Sequence, residues 1–354
     1  MILDELEAPI VLAPMAGGPS TPELVAAVSE AGGIGFLAFG YLAPQSAREQ
    51  LGATRALTAR PFGVNVFAPG DGPTEPAVYA PYVDRLARWA GRLGLPLGTA
   101  RYSDDSFEDK IELLVSDPVP VVSFAFGVPP PRAIQRLHSV GSEIWVTVTT
   151  PSEAARAASA GADALIVQGS EAGGHRASFT DDSDDAPLYG LLALLQLIRA
   201  QEKTLPLVAS GGIATGGALA AALSTGASAA QIGTAFMLSP EAGTAPAHRD
   251  ALRAGRETAL TRAFTGRWAR GIRNAFMSEH DEAAPSAYPE IHFVTTPFRK
   301  AARERGDASL MNLWAGQAHG LAREAPAAEI VAGLMSEARA AIAIVSEKLE
   351  APAR

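Results

Sequence analysis

The sequence predicts an α/β fold, a closed (β/α)8 TIM barrel with a helical C-terminal extension, and three observations predict it. Eight short apolar runs rich in Val, Ile and Phe alternate with Ala- and Leu-rich stretches of helical period. The runs are nearly continuous in apolar residues rather than alternating, the pattern of parallel strands covered on their outer face by helices. The helical stretches carry their own punctuation: Thr21-Pro22 opens one that closes at Gly32-Gly33, and Thr150-Pro151 opens another that closes at Gly161. Eight such units in series favour a closed barrel over an open doubly wound sheet, which the pattern alone leaves as the alternative.

In chain order the runs fall at residues 10–13, 34–37, 62–67, 120–126, 143–148, 164–168, 205–209 and 229–232. Beyond Met237 the strand pattern fades. Residues 240–354 read as helices and loops, including a long, Ala-rich amphipathic stretch at 326–348. The expected division is a barrel over residues 1–238 and a helical extension over 239–354 packed on it, its end free to return to the barrel. Two loops stand out. Residues 68–81 are rich in Gly and Pro, and residues 169–187 carry Glu171, Gly173, Gly174, His175, Arg176 and the acidic group Asp181, Asp182, Asp184 and Asp185. Both follow a strand, so both belong on the catalytic face of a barrel.

Composition narrows the function. A chain of 354 residues, 47% of them hydrophobic, buries a large core without covalent staples. It has no cysteine, which excludes a disulfide scaffold, a thiolate metal site and a cysteine nucleophile together. A net charge of −9 offers no basic face to a phosphate backbone, so no nucleic-acid partner is expected. No stretch reaches the ~20 apolar residues of a membrane span, and the first residues are acidic where a secretion signal needs basic ones. The expectation is a cytoplasmic enzyme, monomeric or homodimeric, acting on a small molecule.

Two segments can carry chemistry. Residues 207–213, ending Ala209-Ser-Gly-Gly-Ile213, and residues 229–235, containing Gln231-Ile-Gly-Thr234, stand at the ends of the last two strands. Loops there often bind phosphate through backbone N–H groups and a helix N-terminus, and glycine lets the backbone approach. The same glycines, Gly211, Gly212 and Gly233, also suit simple tight turns. The second segment, Gln168-Gly-Ser-Glu-Ala-Gly-Gly-His-Arg176, puts His175 on a glycine-rich loop, where an imidazole can serve as a base. The other histidines, His138, His248, His280, His292 and His319, have no such setting. No His pair has metal-ligand spacing, and the Asp group reads as a solvated loop. A Schiff-base aldolase needs a lysine at a strand end, and Lys110, Lys203, Lys300 and Lys348 all lie elsewhere. A bound cofactor that does the chemistry itself is what remains.

Taken in order, Ala13-Pro-Met-Ala-Gly-Gly18 with Ser20-Thr-Pro22, Pro61-Phe-Gly-Val-Asn65, residues 168–176, Ala209-Ser-Gly-Gly-Ile213 and Gln231-Ile-Gly-Thr234 resemble the nitronate monooxygenases, formerly 2-nitropropane dioxygenases. So do the tail segments Phe264-Thr-Gly-Arg267, Arg270-Gly-Ile-Arg-Asn274 and Trp314-Ala-Gly-Gln317. The resemblance implies an FMN-dependent barrel that oxidises alkyl nitronates, and in a wider reading nitroalkanes, with O2 to a carbonyl compound and nitrite by way of a flavosemiquinone. It implies His175 as the catalytic residue. It implies FMN contacts from Ala13, Pro14, Met15, Asn65, Gln168, Gly173, Gly174, Ser210, Gly211, Gly212, Gln231, Ile232, Gly233 and Thr234. No metal is implied.

One departure touches the pocket. Some relatives carry a second active-site histidine where this chain has Ala125. That keeps open a reading as an FMN enzyme using NAD(P)H, of the quinone reductase or enoyl-ACP reductase type. A non-catalytic flavin or phosphosugar binder is the third class. Arg262, Arg267, Arg270 and Arg273 recur beside aromatic residues in the tail. They read either as a cap over an anionic substrate or, the reading favoured here, as surface ion pairs tying the extension to the barrel, each worth only ~0–1 kcal/mol.

Overall fold

In the computed structural model, which describes residues 1–70, 72–181 and 187–350, each of the eight apolar runs is a strand. They are β1 (Ile10–Leu12), β2 (Gly35–Ala38), β3 (Phe62–Phe67), β4 (Val121–Ala125), β5 (Glu143–Val148), β6 (Ala164–Gln168), β8 (Leu207–Ser210) and β9 (Ala229–Ile232), with a short β7 (Gly174–His175) in the loop after β6. All eight pair in parallel in the order β1-β9-β8-β6-β5-β4-β3-β2. A parallel bridge from Val11 to Ile34 joins β1 to β2 and closes the barrel. The open-sheet alternative is thereby excluded.

The barrel interior explains where the site lies. Side chains alternate along a strand, so every second residue points inward. Val11, Phe36, Val121, Trp145, Ile166 and Val208 share one buried cluster with Ile2, from the turn Ile2–Asp4. Glu143 fixes that turn, accepting from the Ile2 amide at 2.7 Å and from Trp145 Nε1 at 3.0 Å. Gly63 has no side chain because the Phe36 ring occupies the space a Cβ would need. Two residues further along their strands or beyond them, Ala13, Asn65, Thr147, Gln168, Ser210 and Gln231 line a cavity at the C-terminal mouth.

The C-terminal part departs from the purely helical expectation. β10 (Thr258–Thr261) and β11 (Ala269–Ile272) pair antiparallel, and β11 pairs with β7 from the barrel loop to give a three-stranded sheet. Four-residue strands interrupted by Arg and Gly give no period long enough to read. The Gly/Pro-rich loop after β3 also ends sooner than expected, because the helix Pro76–Leu93 starts at a proline, whose missing N–H costs nothing at that position. Tyr82, Leu86 and Trp89 of this helix form a second core with Phe264, Phe276, Ile291, Val294 and Phe298. A barrel loop and the C-terminal segment therefore build the cap together. The final helix, Ala327–Glu350, returns to the barrel and packs on Gly216–Ser224, with Gly216 allowing its backbone to approach Ala338. Among the described residues no helix is long and apolar enough to cross a membrane.

Candidate active site

A cavity of about 430 Å³ opens at the C-terminal mouth of the barrel, beneath the cap. All fifteen residues named from the sequence line it: His175, Ala13, Pro14, Met15, Asn65, Gln168, Gly173, Gly174, Ser210, Gly211, Gly212, Gln231, Ile232, Gly233 and Thr234. The strands deliver the polar ring and the loops deliver the glycines. Among the described residues the lining holds no Asp or Glu, but it includes Arg299, Lys300 and Arg303. In a chain of net charge −9, this is an electropositive hollow.

The loops after β8 and β9 form a cradle. Gly211 (φ +116°) and Gly212 (φ +70°) take backbone conformations that L side chains rarely adopt. A Cβ on Gly233 would come within 3.2 Å of Ala13 Cβ and 3.3 Å of Met15 Sδ. The amides of Gly212 and Gly233 make no hydrogen bond among the described residues. The expected helix N-terminus is not free. The first amide of Gly216–Ser224 donates to the Glu337 carboxylate at 2.9 Å, and Thr215 Oγ1 accepts from the Ala218 amide at 3.3 Å. Glu337 thus occupies the positive end of that helix, and the anion-binding donors left are those of the turns.

His175 is set by the small sheet, paired with Ala269 of β11. Its Nε2 lies 2.9 Å from Thr265 Oγ1, and that hydroxyl lies 3.2 Å from the Arg267 carbonyl oxygen. A hydroxyl has one proton to give. With it donated to the carbonyl, Thr265 accepts from His175 Nε2–H, which leaves Nδ1 as the basic nitrogen. Phe126, Tyr288 and Trp314 surround the imidazole with ring centroids 5.8, 5.7 and 5.6 Å away. Burial, then the Arg267 and Arg299 guanidinium groups, push its pKa down to about 3. The ring is neutral at physiological pH.

The amides of the ring have unequal freedom. Gln168 is largely committed to its own loop, with Nε2 donating to the His175 carbonyl at 3.1 Å and Oε1 accepting from the Ala177 amide at 2.9 Å. Asn65 Nδ2 donates to Ser123 Oγ at 3.0 Å. Gln231 Nε2 reaches Ser210 Oγ at 3.3 Å, whereas Gln231 Oε1 and the Nε2 of another lining residue, His319, are buried without a partner. Unpaired buried polar atoms on a cavity wall are what a polar ligand edge completes. Gly173 brings the loop against the tail, since a Cβ there would stand 2.5 Å from the Gly316 amide nitrogen.

Several lining residues escaped sequence reasoning. Tyr41, Phe126, His292, Arg299 and Trp314 all line the cavity, as do His248 and His319. The expectation that His175 alone among the histidines has a site setting is therefore corrected. His292 stacks on Tyr41 with centroids 4.1 Å apart, and its Nδ1 accepts from Arg299 at 3.2 Å. Burial, then Arg299, holds its pKa well below the usual imidazole range. No local signal marks these residues, because they arrive from separate loops and from a cap helix.

The reading of the tail arginines as surface ion pairs is corrected too. Arg262, Arg267 and Arg270 are buried and only Arg273 is exposed. Arg262 pairs with buried Asp181 at 3.0 Å. Arg267 donates to the carbonyls of Arg176 and Ser178 and lies 4.3 Å over the Phe126 ring, so it ties the cap to the His175 loop. Of the acidic group read as a solvated loop, Asp181 is buried, while Asp182, Asp184 and Asp185 lie outside the described residues.

Known proteins share this arrangement. The family model for nitronate monooxygenase matches residues 2–337. A nitronate monooxygenase of Pseudomonas aeruginosa is 41% identical over 345 residues, covering 94% of this chain and 97% of the relative. The structure of a nitroalkane oxidase from Streptomyces ansochromogenes superposes with a TM-score of 0.93 at 48% identity, covering 97% of this chain and 99% of that one. FabK from Thermotoga maritima is further away, with a TM-score of 0.77 at 28% identity over 98% of this chain and 97% of that one. With its barrel, its glycine cradle and its capped histidine in register with this group, the chain belongs to the nitronate monooxygenase family of flavin-dependent oxidoreductases.

Proposed function

We propose that the protein is an FMN-dependent nitronate monooxygenase, oxidising alkyl nitronates with O2 to a carbonyl compound and nitrite. The observation that carries this reading is an acid-free, electropositive cavity joining a glycine cradle to a neutral, capped imidazole. The residues fit FMN. Gly212 and Gly233 offer free amides to its phosphate, and Asn65, Gln231 and His319 offer polar atoms to the rest of the molecule. FMN, when bound, supplies the redox centre for electron transfer from the nitronate. The chain's own groups do the rest. Arg299, Lys300 and Arg303 draw an anion into the cavity, while the aromatic rings and the cap keep water away from it.

The state of His175 favours nitronates over neutral nitroalkanes. A base works best with a pKa near the operating pH, and this ring is held at about 3. It is a weak acceptor for a substrate's α-proton at Nδ1. A nitronate arrives without that proton and needs only to be bound and oriented. In this reading residues 1–238 form the flavin-binding barrel and 239–354 most of the cap. The enzyme works in the cytoplasm as a monomer or homodimer.

A second reading, an NAD(P)H-dependent reductase of the same family, draws on the likeness to FabK, at 28% identity against 48% for the nitroalkane oxidase. Oxygen uptake and nitrite release by the flavin-loaded protein separate the two. Turnover with ethyl nitronate and none with NADH or NADPH is the expected result. Rapid NAD(P)H oxidation with no nitrite from any nitronate would reverse the assignment.

A further inference from the structure

Four non-glycine residues among those described have a left-handed backbone: Tyr41 (φ +67°), Asp105 (φ +58°), Ser106 (φ +53°) and Phe126 (φ +74°). For bulky residues such as Tyr and Phe this conformation is a strained exception, and such strain collects at functional sites. All four belong to one wall of the cavity. Tyr41 and Phe126 line it with Phe67 between them, at centroid distances of 5.2 and 4.7 Å. Asp105 stands directly behind, its Oδ1 accepting from the Tyr41 amide at 3.0 Å.

Asp105 is itself held by a buried cation. Lys110, from the helix Phe107–Ser116, is fully buried, and its ammonium donates to Asp105 Oδ2 at 2.6 Å. No other side chain bonds that ammonium among the described residues, and the catalytic proposal uses neither group. A buried ion pair is weak evidence for stability and is best understood where it fixes one conformation among several. Here the fixed element is identifiable. Tyr41 stacks on His292, and its hydroxyl meets the Tyr288 hydroxyl at 3.1 Å. Tyr288 in turn packs against His175.

We propose that the buried Asp105–Lys110 pair is a positioning brace for the active site, holding Tyr41 in its strained conformation so that its ring and hydroxyl set Tyr288 and His292 around the substrate. Tyr41 is the substrate-facing member. Asp105 and Lys110 act only through it. The inference rests on the proposed nitronate oxidation for its kinetic consequence, but its structural consequence is independent of that reading.

The test uses the flavin-loaded protein and the double variant Asp105→Ala/Lys110→Met, which removes the acceptor and both charges and leaves no unpaired buried ion. Hydrogen–deuterium exchange is read over residues 39–42 and 285–293, with residues 216–224 as an internal control. The expected result is faster exchange in both segments, an unchanged control, and a KM for ethyl nitronate raised about tenfold or more with a smaller change in kcat. Asp105→Asn/Lys110→Met keeps the acceptor for the Tyr41 amide and should restore both readouts. Should the first variant fail to fold, Tyr41→Gly relieves the strained φ with the ion pair intact, and it should raise KM while keeping or increasing Tm. Faster exchange confined to residues 39–42 with KM unchanged, or Tyr41→Gly with wild-type KM, would overturn the proposal. If the wild-type protein oxidises no nitronate, the proposed function fails, and the coupled exchange of the two segments alone decides the brace.

Discussion

Thr265 Oγ1 sits 2.9 Å from His175 Nε2 and 3.2 Å from the Arg267 carbonyl, so one hydroxyl reads out a backbone acceptor and sets the tautomer of the imidazole. Thr265→Val removes this link at nearly constant volume. A hydrogen bond of this kind is worth about 1 kcal/mol, so kcat/KM should fall roughly fivefold. Thr265→Ser should restore it. Equal loss in both variants would mean the methyl group, not the hydroxyl, is what matters.

Gly212 tests the cradle. A non-glycine residue at φ +70° costs roughly 1–2 kcal/mol, and the turn relaxes by rotating its amide away. Gly212→Ala should therefore weaken FMN binding by about tenfold, measured by quenching of flavin fluorescence. Unaltered affinity would remove this turn from the phosphate site.

Arg267 contributes to stability well beyond a surface ion pair. Its guanidinium is buried against Phe126 and bonded to two carbonyls. Arg267→Met should destabilise the protein by about 3 kcal/mol, since hydrogen bonds to charged groups contribute ~1.5–3 kcal/mol and the carbonyls lose their partner. A denaturant midpoint within experimental error of wild type would contradict this.

Buried neutral histidines make stability depend on pH. Burial holds His175 at about 3 and His248 at about 4, and His292 is also held well below its usual range. Unfolded, each titrates near ~6.5 and binds a proton more readily than in the native state. Between the two pKa values the unfolded chain carries more protons, so stability is full above about pH 6.5 and falls as the pH drops toward 4 and 3. Thermal melts from pH 7.5 to 4.5 should show a steadily falling Tm, with a shallower fall in His292→Gln. A flat profile would mean that these rings are hydrated in the native protein.

The sequence made the barrel legible because each strand is a Val- and Ile-rich run bounded by Thr-Pro starts and Gly stops, as around Glu143–Val148 and Pro151–Ser159. The glycines and His175 were legible because they cluster in short windows. Tyr41 and His292 were not. They stand 251 residues apart and meet only when the cap folds over the barrel, giving the stack at 4.1 Å. Nor was the burial of Arg267 readable, since it depends on β11 pairing with a two-residue strand from another loop. What a short window contains could be inferred, and what the cap brings together could not.

The central claim is that a nitronate delivers its electrons to a flavin in this cavity. The most direct test is the visible spectrum of the flavin-loaded protein titrated anaerobically with ethyl nitronate. The account predicts loss of the oxidised-flavin absorbance on addition of the nitronate and its return when air is admitted, with nitrite released. An oxidised spectrum that stays unchanged with the nitronate and bleaches on adding NADH would contradict it.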